Sequence, residues 1–133
     1  MHRIDIETTA HSQMLAVTDK VQGAIDASGV REGVCHIYVP HTTAAVTINE
    51  NADPTVVGDV LHAVDALVPW NDPAYRHAEG NSAAHVKAIF FGTSETLIVS
   101  GGRLLLGTWQ GVFFCEFDGP RDERRVVVTV VGA

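Results

Sequence analysis

Gly101-Gly102 stands between two short β-patterned runs, residues 96–100 and 103–106. Paired glycines there favour a tight hairpin, and a hairpin commits its flanks to antiparallel pairing. The rest of the chain is consistent with that start. Residues 108–117 are long and apolar, and residues 125–131 are a valine run suited to a central or sandwich-core strand. Near the N-terminus Ile4 and Ile6 alternate with Asp5 and Glu7 over residues 1–8, and residues 13–17 form a second short apolar stretch. Residues 33–39, stopped by Pro40, and residues 44–49 read as two further strands.

Helical signals are fewer. Thr18 reads as an N-cap before Asp19, with Val21, Ala24, Ile25 and Ser28 on one face and Gly29 at the end. Asp53-Pro54 opens a second helix, since an acidic cap followed by proline suits a first turn. There Val57, Val60, Leu61, Val64, Leu67 and Val68 recur at helical spacing until Pro69. Residues 70–80 lack periodicity and form a long loop. Asn81 or Ser82 caps a short helix through Phe91, with Val86, Ile89 and Phe90 expected to face inward and Gly92 ending it. Strands outnumber helices without alternating regularly with them. The expectation is a single α+β domain over residues 1–133, with mainly antiparallel, sandwich-like sheets and two to three helices.

Hydrophobic residues make up 46% of the 133 and charged residues 19%, enough apolar surface to exclude a disordered chain. Acidic side chains outnumber basic ones, 16 to 9, and no basic run is present. Nucleic acid and anionic membrane surfaces are therefore not expected partners. No apolar run reaches membrane-spanning length, and the charged, alternating N-terminus is unlike a signal peptide. Cys35 and Cys115 each sit inside an apolar run without CxxC spacing. They read as buried free thiols in a reducing, cytoplasmic setting.

Polar residues gather at element ends in four places: His41-Thr42-Thr43-Ala44; Asn49-Glu50-Asn51-Ala52-Asp53; His77 to Asn81 with His85; and Gly107-Thr108-Trp109-Gln110 followed by residues 116–121. Imidazoles and carboxylates at such junctions are the ingredients of a divalent metal site or an acid–base pair. The spacing of His77 and His85 matches no standard zinc pattern, and HExxH is absent. A metal site, acid–base histidines and ordinary structural histidines all remain open at this level. His2, His11, His36 and His62 read as structural. Glu116 lies in an apolar strand, where a lone carboxylate needs a partner; Arg103, Arg121, Arg124 and Arg125 are the candidates.

These segments carry a resemblance. SETLIVSGGRLLLGTWQGV, HTTAAVTINENADP, HAEGNSAAHVK and EFDGPR occur collinearly and are similar to the hallmark segments of the YjbQ family. The resemblance spans essentially the whole chain, and the part before Val39 is the least diagnostic. It implies a small α+β protein on antiparallel sheets, assembled as a homotrimer, with its polar motifs in a cleft near the subunit boundaries. It also implies a secondary thiamine-phosphate synthase activity, a weak side reaction beside an unsettled primary role.

Carried onto this sequence, the resemblance makes Asn49, Glu50, Asp53, Glu79 and Asn81 candidate catalytic residues. Trp109, Gln110 and Arg121 become candidate substrate-binding residues. His41, His77 and His85 are expected to converge with those carboxylates in one cleft and to hold a divalent metal, zinc or magnesium, with an open position for water or substrate. Simpler roles compete: Asp53 suffices as an N-cap, Gly80 and Asn81 as a turn and cap, and Trp109 as core or interface. The implied reaction joins an aminopyrimidine diphosphate to a thiazole phosphate. A metal-dependent hydrolase and a non-catalytic trimer that binds a ligand or metal are the alternatives.

Overall fold

A computed structural model describes all residues, Met1–Ala133. Eight strands and three helices follow in the order β1 (His2–Ile6), β2 (Gln13–Ala16), α1 (Thr18–Ser28), β3 (Gly33–Tyr38), β4 (Ala44–Glu50), α2 (Pro54–Leu67), α3 (Ser82–Phe91), β5 (Ser94–Ser100), β6 (Arg103–Leu104), β7 (Gln110–Glu116) and β8 (Arg124–Gly132). They form a five-stranded sheet, β1-β8-β3-β5-β6, and a three-stranded sheet, β2-β7-β4. Every strand pairing is antiparallel, including the β5–β6 hairpin at Gly101-Gly102. The valine run is the interior strand β8, held between β1 and β3.

Period-two alternation decides what each sheet buries. Ile4, Cys35, Ile37, Val126 and Val128 of the large sheet share one core with Ala44, Val46, Val112 and Phe114 of the small sheet. Val21, Ala24 and Ile25 of α1 close that core, and Gly29 ends the helix in the left-handed region at φ 71°. The intervening positions Ala45, Phe113 and Cys115 face the other way, against Ala84 and Ala88 of α3 with Val57, Val60 and Leu61 of α2 alongside.

Local expectations are corrected in four places. Thr18 is the first helical residue rather than the cap, and its hydroxyl instead accepts from the Val112 N–H at 2.9 Å. The inward face of α3 is Ala83, Ala84, Lys87 and Ala88, while Ile89 and Phe90 are 77% and 73% exposed. Small alanines let this helix lie close on β4, with Ile89 and Phe90 turned outward and Phe91 packed against Phe117. Asn81 occupies the N-cap position of α3 without capping it, and its NH₂ donates instead to Asp118. The strands expected over residues 103–106 and 108–117 shorten to β6 and β7, with a turn between them.

Asp53 does cap α2, accepting from the Thr55 N–H at 2.9 Å, and the Thr55 hydrogen bonds hold its carboxyl below the ordinary range. Both cysteines are free and buried, and burial pushes their thiols up to about 11 for Cys35 and about 12 for Cys115. No helix is long and apolar enough to cross a membrane.

Candidate functional site

A cleft of about 1030 Å³ opens where three distant chain segments meet. The turn between β3 and β4 supplies His41, Thr42 and Thr43. The loop before α3 and its first turn supply His77, Glu79, Asn81 and His85. The connection from β7 to β8 supplies Arg121, and Arg124 follows at the start of β8.

The last of these segments is fixed by two carboxylates. Glu116 is fully buried and accepts from Arg124 Nε at 2.9 Å, from Arg124 Nη2, from the Thr8 hydroxyl at 2.8 Å and from the Asp118 N–H at 3.1 Å. Burial pushes the Glu116 carboxyl up, but the Arg124 fork and the two further donors outweigh it and leave it below the ordinary range. Of the four arginines open in the sequence, Arg124 is the partner. Asp118 accepts from Asn81 Nδ2 at 2.9 Å and from Arg121 Nη2 at 3.0 Å. Gly119 lets the loop close over the chain after β1, since a Cβ there would lie 2.2 Å from the Ala10 carbonyl oxygen.

Within the cleft the imidazoles differ. His77 and His85 stand edge to face, their ring centroids 5.3 Å apart. His41 is engaged: its Nε2 accepts from the Arg125 N–H at 3.0 Å. Burial, with the positive charges of Arg124 and Arg125, holds His41 below the ordinary histidine range, so the ring is neutral near pH 7. Asn81 is buried, and with its NH₂ held by Asp118 its Oδ1 has no partner, the one buried side-chain polar atom in the chain so placed. A buried acceptor left unsatisfied costs about 1–3 kcal/mol.

The expected three-histidine metal centre is corrected here. No three His, Cys, Asp or Glu side chains are grouped to hold one ion. His41 has spent one ring nitrogen on the backbone of β8, which leaves His77 and His85 as the adjacent imidazoles that line the cleft.

The single shared cleft is also corrected. His41, His77, Glu79, Asn81, His85 and Arg121 line it, but Asn49, Glu50 and Asp53 do not. His41 precedes β4 whereas Asn49 and Glu50 end it, and seven extended residues separate the ends by roughly 20 Å. Glu50 and Asp53 line a separate hollow with Met14, Pro54 and Phe113, and Asn49 lies beside Phe90 and Phe91. Trp109 is 63% exposed, and Gln110 accepts from the Gly107 N–H at 2.8 Å; neither lines the cleft. Sequence reasoning placed Thr43 and Asp118 only within polar clusters and Arg124 only among the candidate partners of Glu116, with no specific role at the cleft. Its available signal was the lone Glu116 in an apolar strand, which had to recruit a cation.

Histidine 36 bonds Thr96 across two strands at 2.7 Å, a structural role on the open face of the large sheet.

The fold and the cleft together define a small two-sheet α+β protein with a histidine-, amide- and arginine-lined pocket. Residues 2–133 match the family described as UPF0047 protein YjbQ-like, and the chain belongs to that family. It is 50% identical over 118 residues to UPF0047 protein YugU of Bacillus subtilis, covering 89% of each chain. It is 46% identical to UPF0047 protein MJ1081 of Methanocaldococcus jannaschii, covering 99% of this chain and 94% of that one. The crystal structure of an uncharacterized conserved protein of the yjbq/upf0047 family from Clostridium acetobutylicum superposes with a TM-score of 0.95 at 45% identity, covering 98% of this chain and all of that one.

Proposed function

We propose that the chain is a small-metabolite enzyme of the secondary thiamine-phosphate synthase kind, weakly coupling an aminopyrimidine diphosphate with a thiazole phosphate in this cleft. The observation that carries the reading is the open polar cleft itself, where Arg121 and Arg124 line the same cavity as His41, His77 and His85.

As the C–N bond forms, diphosphate departs with growing negative charge. Arg121, oriented by Asp118, supplies positive charge to the leaving group, and neutral His41 can donate through Nδ1. His77 and His85 would supply nitrogen donors to a divalent cation, which when bound supplies charge neutralisation to phosphoryl oxygens. The net charge of −7 disfavours tight diphosphate binding, in keeping with a weak activity.

A homotrimer belongs to the proposal. The apolar helix α2 has no buried residue, and Leu67, Ile89, Phe90 and Trp109 are exposed, surface that a second copy would cover.

The test combines both precursors with Mg²⁺ and compares wild type with His85→Ala. Product formed by wild type and reduced at least tenfold in the variant supports the reading; equal product in both overturns it. A second reading, a metal-dependent hydrolase, rests on the adjacent His77 and His85 with Glu79 on the same cleft wall as base. It predicts zinc-dependent turnover of ester or phosphoester substrates with no thiazole requirement.

A further inference from the structure

We propose that the turn formed by His41, Thr42 and Thr43, with the Arg124 guanidinium beside it, is a built subsite for the phosphoryl group of the ligand. The inference rests on reading the cleft as a metabolite site, and it names the group that anchors the metabolite there.

The turn presents donors that the protein itself does not use. The backbone N–H groups of His41, Thr42 and Thr43 lie outside both flanking strands and donate to no protein acceptor. Thr43 as a residue is only 5% exposed, so the turn is packed against the fold at that end. His41 adds another donor. Because Nε2 accepts from Arg125, the proton of the neutral ring resides on Nδ1.

Arg124 completes the set. It is 6% exposed, and its fork is immobilised by Glu116 through Nε and Nη2, with Nη2 also donating to the Thr43 hydroxyl at 2.8 Å. Its Nη1 has no protein acceptor, yet it is not among the sealed-off polar atoms, and the residue lines the cleft. A fixed guanidinium beside unused N–H groups is the arrangement that recognises phosphate, because the donors need no reorganisation when the anion arrives. A tetrahedral phosphoryl group with three terminal oxygens can use this many donors, whereas a planar carboxylate cannot. Glu116 balances the Arg124 charge, so directional donors rather than net charge give the selectivity. The one carboxylate that lines the cleft, Glu79, belongs to the 77–81 segment, which leaves the turn as the favoured place for an anion.

The test is a titration of the ¹⁵N-labelled chain with inorganic phosphate and, separately, with acetate. It follows the backbone amides of residues 41–43, the His41 ring nitrogens and Arg124 Nε. The expected result is a saturable shift at all of these with one common dissociation constant, and acetate at least tenfold weaker. His41→Gln can keep an acceptor for the Arg125 N–H while losing the Nδ1 donor, and is expected to weaken phosphate at least fivefold. Should that variant fail to fold, Thr42→Pro removes one N–H at an exposed position, with the same expectation. Absence of saturable shifts overturns the subsite. So do shifts centred on His77, His85 or Arg121, equal binding of acetate, or unchanged affinity in a folded variant. Turnover without phosphate shifts at the turn overturns the subsite alone. Phosphate binding there without turnover leaves the subsite standing while the proposed reaction falls.

Discussion

Arg124 and Glu116 form a buried two-pronged ion pair beside the cleft, Arg124 6% exposed and Glu116 not at all. The pair joins the start of β8 to the end of β7, and through Thr8 and Thr43 it reaches the chain after β1 and the cleft turn. Removing one partner strands a buried charge. Glu116→Ala is expected to lower unfolding free energy by about 3–5 kcal/mol, read from the urea midpoint. A loss below about 1 kcal/mol would show that water reaches Arg124 freely.

Lys87 and Asp65 give an asymmetric case. Lys87 is buried on α3, and its ammonium donates at 2.7 Å to the Asp65 carboxylate on α2, whose side chain is 67% exposed. The Lys87 contact holds the Asp65 carboxyl below the ordinary range. Asp65→Ala leaves the ammonium without its partner, whereas Lys87→Met fills much the same volume and leaves a carboxylate already in water. Asp65→Ala is expected to cost about 1–3 kcal/mol and Lys87→Met less. Thermal melts of the two variants giving the reverse order would count against the pairing.

Acid sensitivity should report His41. Its folded value is lowered by burial first and then by Arg124 and Arg125, so the unfolded chain takes up its proton more readily. Stability from this group is complete above the unfolded value of about 6.5 and falls as pH drops below it. Urea midpoints measured between pH 7.5 and 5.5 should decline for wild type and decline less for His41→Gln. Parallel pH profiles would remove His41 from the acid response.

Native thiols should be inert. Cys35 and Cys115 are buried, with thiols pushed up to about 11 and about 12 by desolvation. Iodoacetamide at pH 8 is expected to label neither in the folded chain and both in urea, counted by intact mass. Rapid native labelling would reveal local opening of β3 or β7.

The apolar surface of α2 and α3 should set the assembly. Light scattering behind size exclusion is expected to give the mass of three chains for wild type, and a smaller species for Phe90→Asp at the 73% exposed position. A monomeric wild type would leave that surface without the proposed partner.

Antiparallel architecture was legible because it is local. Gly101-Gly102 fixes a hairpin, Pro40 ends a strand, and alternation such as Ile4 and Ile6 against Asp5 and Glu7 declares a buried face whatever lies across it. The Asp53 cap was legible for the same reason, its acceptor lying two residues away. The clustering of His41, His77, Glu79, Asn81, His85 and Arg121 came from resemblance between motifs, not from spacing. Tertiary structure alone decided that β4 carries Asn49 and Glu50 to its far end, that alanines rather than Ile89 and Phe90 seat α3, and that the Asn81 amide turns to Asp118. It also chose Arg124 among four arginines for Glu116 and gave one nitrogen of His41 to Arg125. Hydrophobic period is written in neighbouring residues, but the partner of a buried polar atom is whichever group the fold brings within about 3 Å.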